Sequence, residues 1–235
     1  MSYTGDVVRG GPAAVRELDE VVVRKAAVGP MNNNAYLLSC RASGAQLLID
    51  AAAEPDRLLD LVRDGSRAAR LDLIVTTHRH PDHHGALASI VTVTGAPTAA
   101  GDLDAQAIEE PTTRLLRHGD VLTVGHLTLE VIALRGHTPG SVALAYREPE
   151  HASSTHPGAD GAVPGRVHLF TGDSLFPGGP GKTPDPAAFT SLMDDLEARI
   201  FADFDDQTWV YPGHGNDTTL GTERAHLPEW RTRGW

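Results

Sequence analysis

The sequence predicts an α/β fold on three observations. Short apolar and β-branched runs of strand length recur along the chain, bounded by Gly, Asn and Pro turns. Between them lie segments whose apolar residues are spaced for helices. The residues richest in chemistry, His78, Asp173 and His214, each fall just after a strand-like run.

The elements follow in order. Glu20 to Val28 (EVVVRKAAV), Ala35 to Cys40 (AYLLSC) and Gln46 to Asp50 (QLLID) read as strands. Glu54 to Arg63 carries Leu58, Leu59 and Val62 at helical spacing, with Pro55 near its start. Leu71 to Thr77 (LDLIVTT) is a strand that ends at His78, and Gly85 to Val93 continues as a helix. A second half opens near Asp120. Val121 to Val124 and Leu127 to Leu134 form a hairpin turning at Gly125-His126, followed by strands over Val142 to Tyr146 and Val167 to Thr171. Pro186 to Phe204 places Phe189, Leu192, Met193, Leu196 and Ile200 on one side of an amphipathic helix. Trp209 to Tyr211 is a short strand ending at Pro212-Gly213-His214. Glu148 to Gly165 is rich in Pro, Gly, Ser and Ala and reads as an inserted surface loop within a single domain spanning 1–235.

Composition narrows the function. With 40% hydrophobic and 22% charged residues, the chain has the balance of a globular domain with a real core. A net charge of −11 argues against nucleic acid, whose phosphates need clustered Lys and Arg. No apolar run is long enough to span a bilayer, so no membrane is expected among the partners. The N-terminus lacks the basic-then-apolar pattern of an export signal, and Cys40 has no second cysteine to pair with. A cytoplasmic enzyme acting on a small molecule is the expectation, with oligomeric state left open. Lys25 and Lys182 are the only lysines, so each stands out.

Of the twelve histidines, His118, His126, His151, His156 and His168 read as solvated scatter. Scatter cannot account for four histidines within positions 78 to 84. His78 and His80 are two apart, so an extended backbone turns both to one side. Asp82 and His83 follow Pro81, where the chain can bend into a helix. Neutral imidazole and carboxylate are natural zinc donors, and catalytic sites keep one position open for water. Four donors in six residues are too dense for one closed structural site. The run reads as part of a hydrolytic centre.

Thr77-His78-Arg79-His80-Pro81-Asp82-His83 resembles the HxHxDH signature of the metallo-β-lactamase-fold superfamily. Gly136-His137-Thr138-Pro139-Gly140-Ser141, Thr171-Gly172-Asp173-Ser174-Leu175-Phe176 and Pro212-Gly213-His214-Gly215 resemble its later motifs, in order. The resemblance, which runs from Asn33-Asn34-Ala35-Tyr36 through His214, implies a four-layer αββα sandwich: two mixed β-sheets flanked by helices. It also implies that His78, His80 and His137 bind one metal, that Asp82, His83 and His214 bind a second, and that Asp173 bridges both. Asp82 counts among the catalytic residues as well. The implied cofactors are two divalent ions, zinc foremost, with iron or manganese as alternatives. Asp50 resembles the aspartate that this superfamily places under its metals to orient a ligand. His84 is expected to be a packing residue, and Thr138 and Ser141 to serve the turn that aims His137.

Within the superfamily, the stretch from Gly172 to Thr183 is similar to the glyoxalase II (hydroxyacylglutathione hydrolase) branch, with Pro180 where that branch carries a cysteine. Lys182 keeps that branch's positive charge and is the candidate contact for a substrate carboxylate or anionic tail. Thr218 to Trp235 is too short for the branch's glutathione-binding segment. It is expected to form a small helix packed through Leu227, Trp230 and Trp235. The implied reaction is attack of a metal-activated bridging hydroxide on a thioester or other small ester-like substrate. The alternative is a persulfide dioxygenase-like oxidoreductase with one iron on His78, His137 and Asp173. Flavodiiron, nuclease, β-lactamase and non-catalytic readings fit the residues less well.

Overall fold

The computed structural model describes residues 3–66, 70–152 and 162–234. His156, Trp235 and positions 153–161 of the expected loop lie outside the described residues.

Seven strands make the first sheet: β1 (Ala14–Glu17), β2 (Val21–Val28), β3 (Asn33–Cys40), β4 (Gln46–Ile49), β5 (Leu73–Thr76), β6 (Thr98–Gly101) and β7 (Arg114–Leu116), in that spatial order. The first four pair antiparallel, and β4 through β7 pair parallel. The second sheet uses β8 (Val121–Val124), β9 (Leu127–Ala133), β10 (Val142–Arg147) and β11 (Val167–Gly172). A small hairpin of β12 (Leu175–Phe176) and β13 (Gly179–Pro180) follows, and then β14 (Trp209–Pro212) and β15 (Thr218–Thr219) complete that sheet. Its order is β15-β14-β11-β10-β9-β8, and β14 lies parallel to β11.

Side-chain alternation explains the layering. On β3, Tyr36, Leu38 and Cys40 point between the sheets, while Ala35 and Leu37 point to the other face. On β10, Val142, Leu144 and Tyr146 meet them from the second sheet, while Ala143 and Ala145 face outward. Both faces are covered, so these strands read as continuous apolar runs rather than alternating ones. The outer face of the first sheet is sealed by α1 (Pro55–Gly65) and α2 (Leu87–Thr94), through Leu58, Val62, Leu87 and Ile90. The outer face of the second is sealed by α3 (Pro186–Leu196), with Trp230 of α5 (Leu227–Arg233) beside it; the short α4 (Leu220–Arg224) lies between in sequence. The result is helix, sheet, sheet, helix, the α/β sandwich expected.

Some expectations need correction. The helix foreseen over Pro186 to Phe204 ends as α-helix at Leu196 and continues as one wide turn over Glu197–Phe201. β1, β6 and β7 were not foreseen; their sequences (AVRE, TAAG, RLL) are too short to show a period. His168 is no surface histidine. It sits fully buried on β11, between the Tyr211 hydroxyl and the Glu148 carboxylate, each 2.9 Å away. Glu148 is itself buried and also bonds Arg166, so the expected loop begins with a core residue. His118, His126 and His151 are exposed. No helix among the described residues is long and apolar enough to cross a membrane.

Candidate metal centre

The site lies at strand ends of both sheets, where rigid ladders stop and loops begin. β5 delivers His78 and His80, and Pro81 opens a single 3-10 turn (Pro81–His83) that carries Asp82 and His83. The connection from β9 to β10 carries His137, the turn after β11 carries Asp173, and the residue pair after β14 ends in His214. The first sheet thus contributes four side chains and the second three.

All seven come together. His78, His80 and His137 present donor atoms within 4.8 Å of one another, as do Asp82, His83 and His214, and His78, His83 and Asp173. His78 Nε2 is 3.2 Å from His137 Nε2, and His83 Nε2 is 3.3 Å from His214 Nε2. Asp173 lies between the two histidine groups: Oδ1 is 3.4 Å from His83, while Oδ2 is 3.7 Å from His137 and 3.5 Å from His214. Asp82 Oδ2 is 3.4 Å from His214. These separations match a tetrahedral ion: with metal–donor bonds near 2.0–2.1 Å, the edge between two ligands is roughly 3.4 Å. A second observation agrees with this. Asp173 Oδ1 is buried with no hydrogen-bond partner, which is costly unless a cation completes it.

The opposite ring nitrogens are tied down, so Nε2 is the atom that each of four histidines offers inward. His137 Nδ1 donates to the Lys182 carbonyl (2.6 Å), and His214 Nδ1 lies 3.1 Å from the Met31 carbonyl. His83 Nδ1 is 2.8 Å from Asp50 Oδ2, and His78 Nδ1 is 3.1 Å from the Thr77 hydroxyl, which itself donates to Asp50. Such partners fix the tautomer and ring direction of a metal-binding histidine. Asp50 holds this position with a left-handed backbone (φ 59°), a conformation that Asp tolerates better than most residues.

Electrostatics follow from this crowding. Burial and the neighbouring imidazoles push His78 well below the usual histidine range, and burial lowers His137. Burial opposes charge on His83, yet Asp50 and Asp173 outweigh it and raise His83 to about 10. Burial works against ionising Asp82 and Asp173. The Asn33 amide and His83 hold Asp82 low, and His83 with its neighbours holds Asp173 low. The cluster is therefore built to keep its carboxylates ionised in a buried place.

Around the donors, a cavity of about 400 Å³ is lined by Arg79, His80, Arg135, His137 and Asp185. A smaller one of about 190 Å³ is lined by His80, His137, Lys182 and Thr183. The Lys182 side chain is exposed at that rim. His84 is half-buried and packs its ring nitrogen on the Arg79 carbonyl. Trp230 and Leu227 pack on the second sheet's outer core. Sequence reasoning gave Asn33 no role. Its amide donates to Asp82 Oδ2 at 2.8 Å and lies 3.3 Å from His214, 181 positions away, a pairing that only the fold reveals.

Residues 28–155 match the family described as the metallo-beta-lactamase superfamily. A hydroxyacylglutathione hydrolase from Fuscovulum blasticum is 34% identical over 169 residues, covering 71% of this chain and 58% of the relative, so the chain spans little more than half of that protein's length. The crystal structure of ETHE1 from Myxococcus xanthus superposes with a TM-score of 0.70 at 28% identity, covering 88% of this chain and 83% of that one. The structure of TTHA1623 in a di-iron-bound form gives a TM-score of 0.60 at 32% identity, with coverages of 84% and 95%. With its two-sheet sandwich and its His/Asp groups able to hold divalent metal, the chain belongs to the metallo-β-lactamase superfamily.

Proposed function

We propose that this chain is a dinuclear metal hydrolase of small thioesters. His78, His80 and His137 would hold one ion, Asp82, His83 and His214 the other, with Asp173 shared. The observation that carries the reading is Asp173 itself, one oxygen toward His83 and the other toward His137 and His214. Bound divalent ions supply a water acidic enough to ionise near neutral pH and a Lewis acid for the scissile carbonyl. The chain's own residues do the rest. Asp50 and the Lys182 carbonyl hold His83 and His137 in register, and Asn33 holds Asp82 by Oδ2, the same oxygen that lies 3.4 Å from His214. Arg79 and Lys182, each lining a cavity that His80 and His137 also line, suit a substrate with an anionic group beside the thioester. The likeness to hydroxyacylglutathione hydrolases supports the thioester class.

The test is metal analysis followed by turnover of acyl-thioesters, lactones and phosphoesters. Two ions per chain, thioester hydrolysis lost on chelation and its return with Zn²⁺ or Mn²⁺ are expected. Thioester hydrolysis that persists after verified metal removal, or none with both sites full, refutes the proposal. A second reading draws support from the likeness to ETHE1: one iron on His78, His137 and Asp173, in an oxidoreductase that acts on persulfides. One iron per chain, with oxygen uptake on a persulfide, would establish it instead.

A further inference from the structure

The loop after β5 is gripped from both sides by aspartates that lie on the neighbouring strands' ends. Asp50 follows β4 and serves His83, as described above. Asp104 follows β6, on the other side of β5, and is fully buried. Its Oδ2 accepts the backbone N–H of Arg79 at 3.0 Å and the Thr138 hydroxyl at 2.5 Å. Its Oδ1 accepts the N–H of Gly140 at 2.9 Å. Arg79 is the residue between His78 and His80, and Thr138 directly follows His137. One side chain therefore ties together the two loops that carry the whole His78, His80 and His137 group. Among the described residues it makes no hydrogen bond to Asp82, His83 or His214.

The chemistry of this link is specific to a carboxylate. Both oxygens accept, and each faces a backbone N–H, of Arg79 on Oδ2 and of Gly140 on Oδ1, so an amide NH₂ in place of either oxygen would meet a donor. Among the described residues the closest cation is the Arg79 guanidinium, 3.9 Å from Oδ1, too far for a hydrogen bond. Burying a charge with so little direct pairing is costly, and a fold needing only a closed turn there has cheaper residues. What the carboxylate does achieve is to fix the distance between a first-sheet loop and a second-sheet loop at the place where three donor nitrogens must converge.

We propose that Asp104 is the positioning residue of the His78–His80–His137 site, whereas Asp50 reaches His83 directly and His78 through Thr77. This rests on the two-ion reading above. The experiment titrates metal-free wild type, Asp104→Asn and Thr138→Val with Zn²⁺ by calorimetry, with His137→Ala and His214→Ala to identify the two steps, and checks each metal-free variant's fold by near-UV circular dichroism. The amide must turn its NH₂ toward the N–H of either Arg79 or Gly140, so Asp104→Asn is expected to weaken the step that His137→Ala abolishes by about 10-fold or more. The step that His214→Ala abolishes is expected to keep its affinity. Thr138→Val removes a single tether and is expected to weaken the same step less; it decides the matter should the Asn variant not fold. A wild type that takes up fewer than two ions overturns the two-ion reading and this assignment with it. Two ions in the wild type, with both steps shifted alike or neither shifted in the variants, overturn the role of Asp104 alone.

Discussion

Lys25 offers the sharpest stability test, because its surroundings leave little freedom in the outcome. Its side chain is fully buried, and its nitrogen donates to the Gly5 carbonyl (2.8 Å), the Gly215 carbonyl (2.7 Å) and Asp217 Oδ1 (2.6 Å). Three acceptors around one nitrogen is the coordination that an ammonium needs. Burial pushes Lys25 down and Asp217 up, each toward its neutral form, so the pair depends on this full set of partners. Lys25→Met keeps the stem but takes the ammonium from the Gly5 carbonyl and Asp217 Oδ1, while the Gly215 carbonyl keeps the Asn34 amide. Removing one partner of a buried pair costs about 3–5 kcal/mol. Asp217 retains the Tyr3 hydroxyl (2.9 Å) and the Trp209 indole N–H (3.0 Å), which points to the lower end, about 3 kcal/mol. For a chain of this size that is a fall in Tm of roughly 6–12 °C. The assay is thermal unfolding in chelator, so that metal does not mask the change, with Asp217→Asn and the double variant completing a cycle. The double variant should be at least about 1 kcal/mol less destabilised than the sum of the single ones. A Lys25→Met midpoint within about 2 °C of wild type, or strict additivity, would refute the reasoning.

Two further outcomes follow from other parts of the fold. Burial holds His168 down at about 4, below the ordinary value of about 6.5, so the unfolded chain binds the extra proton first. Its contribution is fully present above about pH 6.5 and is lost as pH falls from there through about 4, at most about 3 kcal/mol; His168→Gln should flatten the urea-unfolding free energy across that window, and an unchanged slope would contradict it. Gly213→Ala would drive a methyl group into Asp173 Oδ1 and to 2.7 Å from His83 Cε1. The expected result is loss of most bound metal with the fold retained, read by metal analysis and circular dichroism; full metal content in the variant would show that the donors can yield.

What could be read from the sequence was whatever is local. Long strands such as β2 and β3 declare themselves by continuous apolar runs, and the run from His78 to His83 puts four donors in six residues. The remaining three donors were reached only through short motifs in a known order, since nothing about His137 or His214 in isolation differs from His118 or His126. What stayed hidden was pairing at long range. Asp104 lies 25 and 34 positions from its partners at Arg79 and Thr138, in a stretch (GDLDAQ) that reads as an ordinary turn. His168 and Glu148 were misplaced for the same reason: each looks polar and surface-bound until the fold sets them 2.9 Å apart in a dry interior.

The placement of the hidden residues shows how the sandwich gathers seven His and Asp side chains into one place. Four donors hang from the first sheet and three from the second, so convergence requires the sheets to be locked together near the site, not only across the apolar interior. The buried polar links supply this. Asp104 joins the loop after β5 to the connection between β9 and β10. Asn34 N–H donates to the Gly213 carbonyl at 2.7 Å, and the Asn34 amide donates to the carbonyls of Pro212 and Gly215, so the start of β3 carries the loop bearing His214. Lys25, one strand further, reaches the same Gly215 carbonyl. A hydrophobic interface alone fixes the spacing of layers but tolerates sliding, because dispersion and burial are not directional. Hydrogen bonds are directional, and these cross between elements of opposite sheets within a few residues of the donors. Register among the seven candidate donors is thus set by polar residues outside that set.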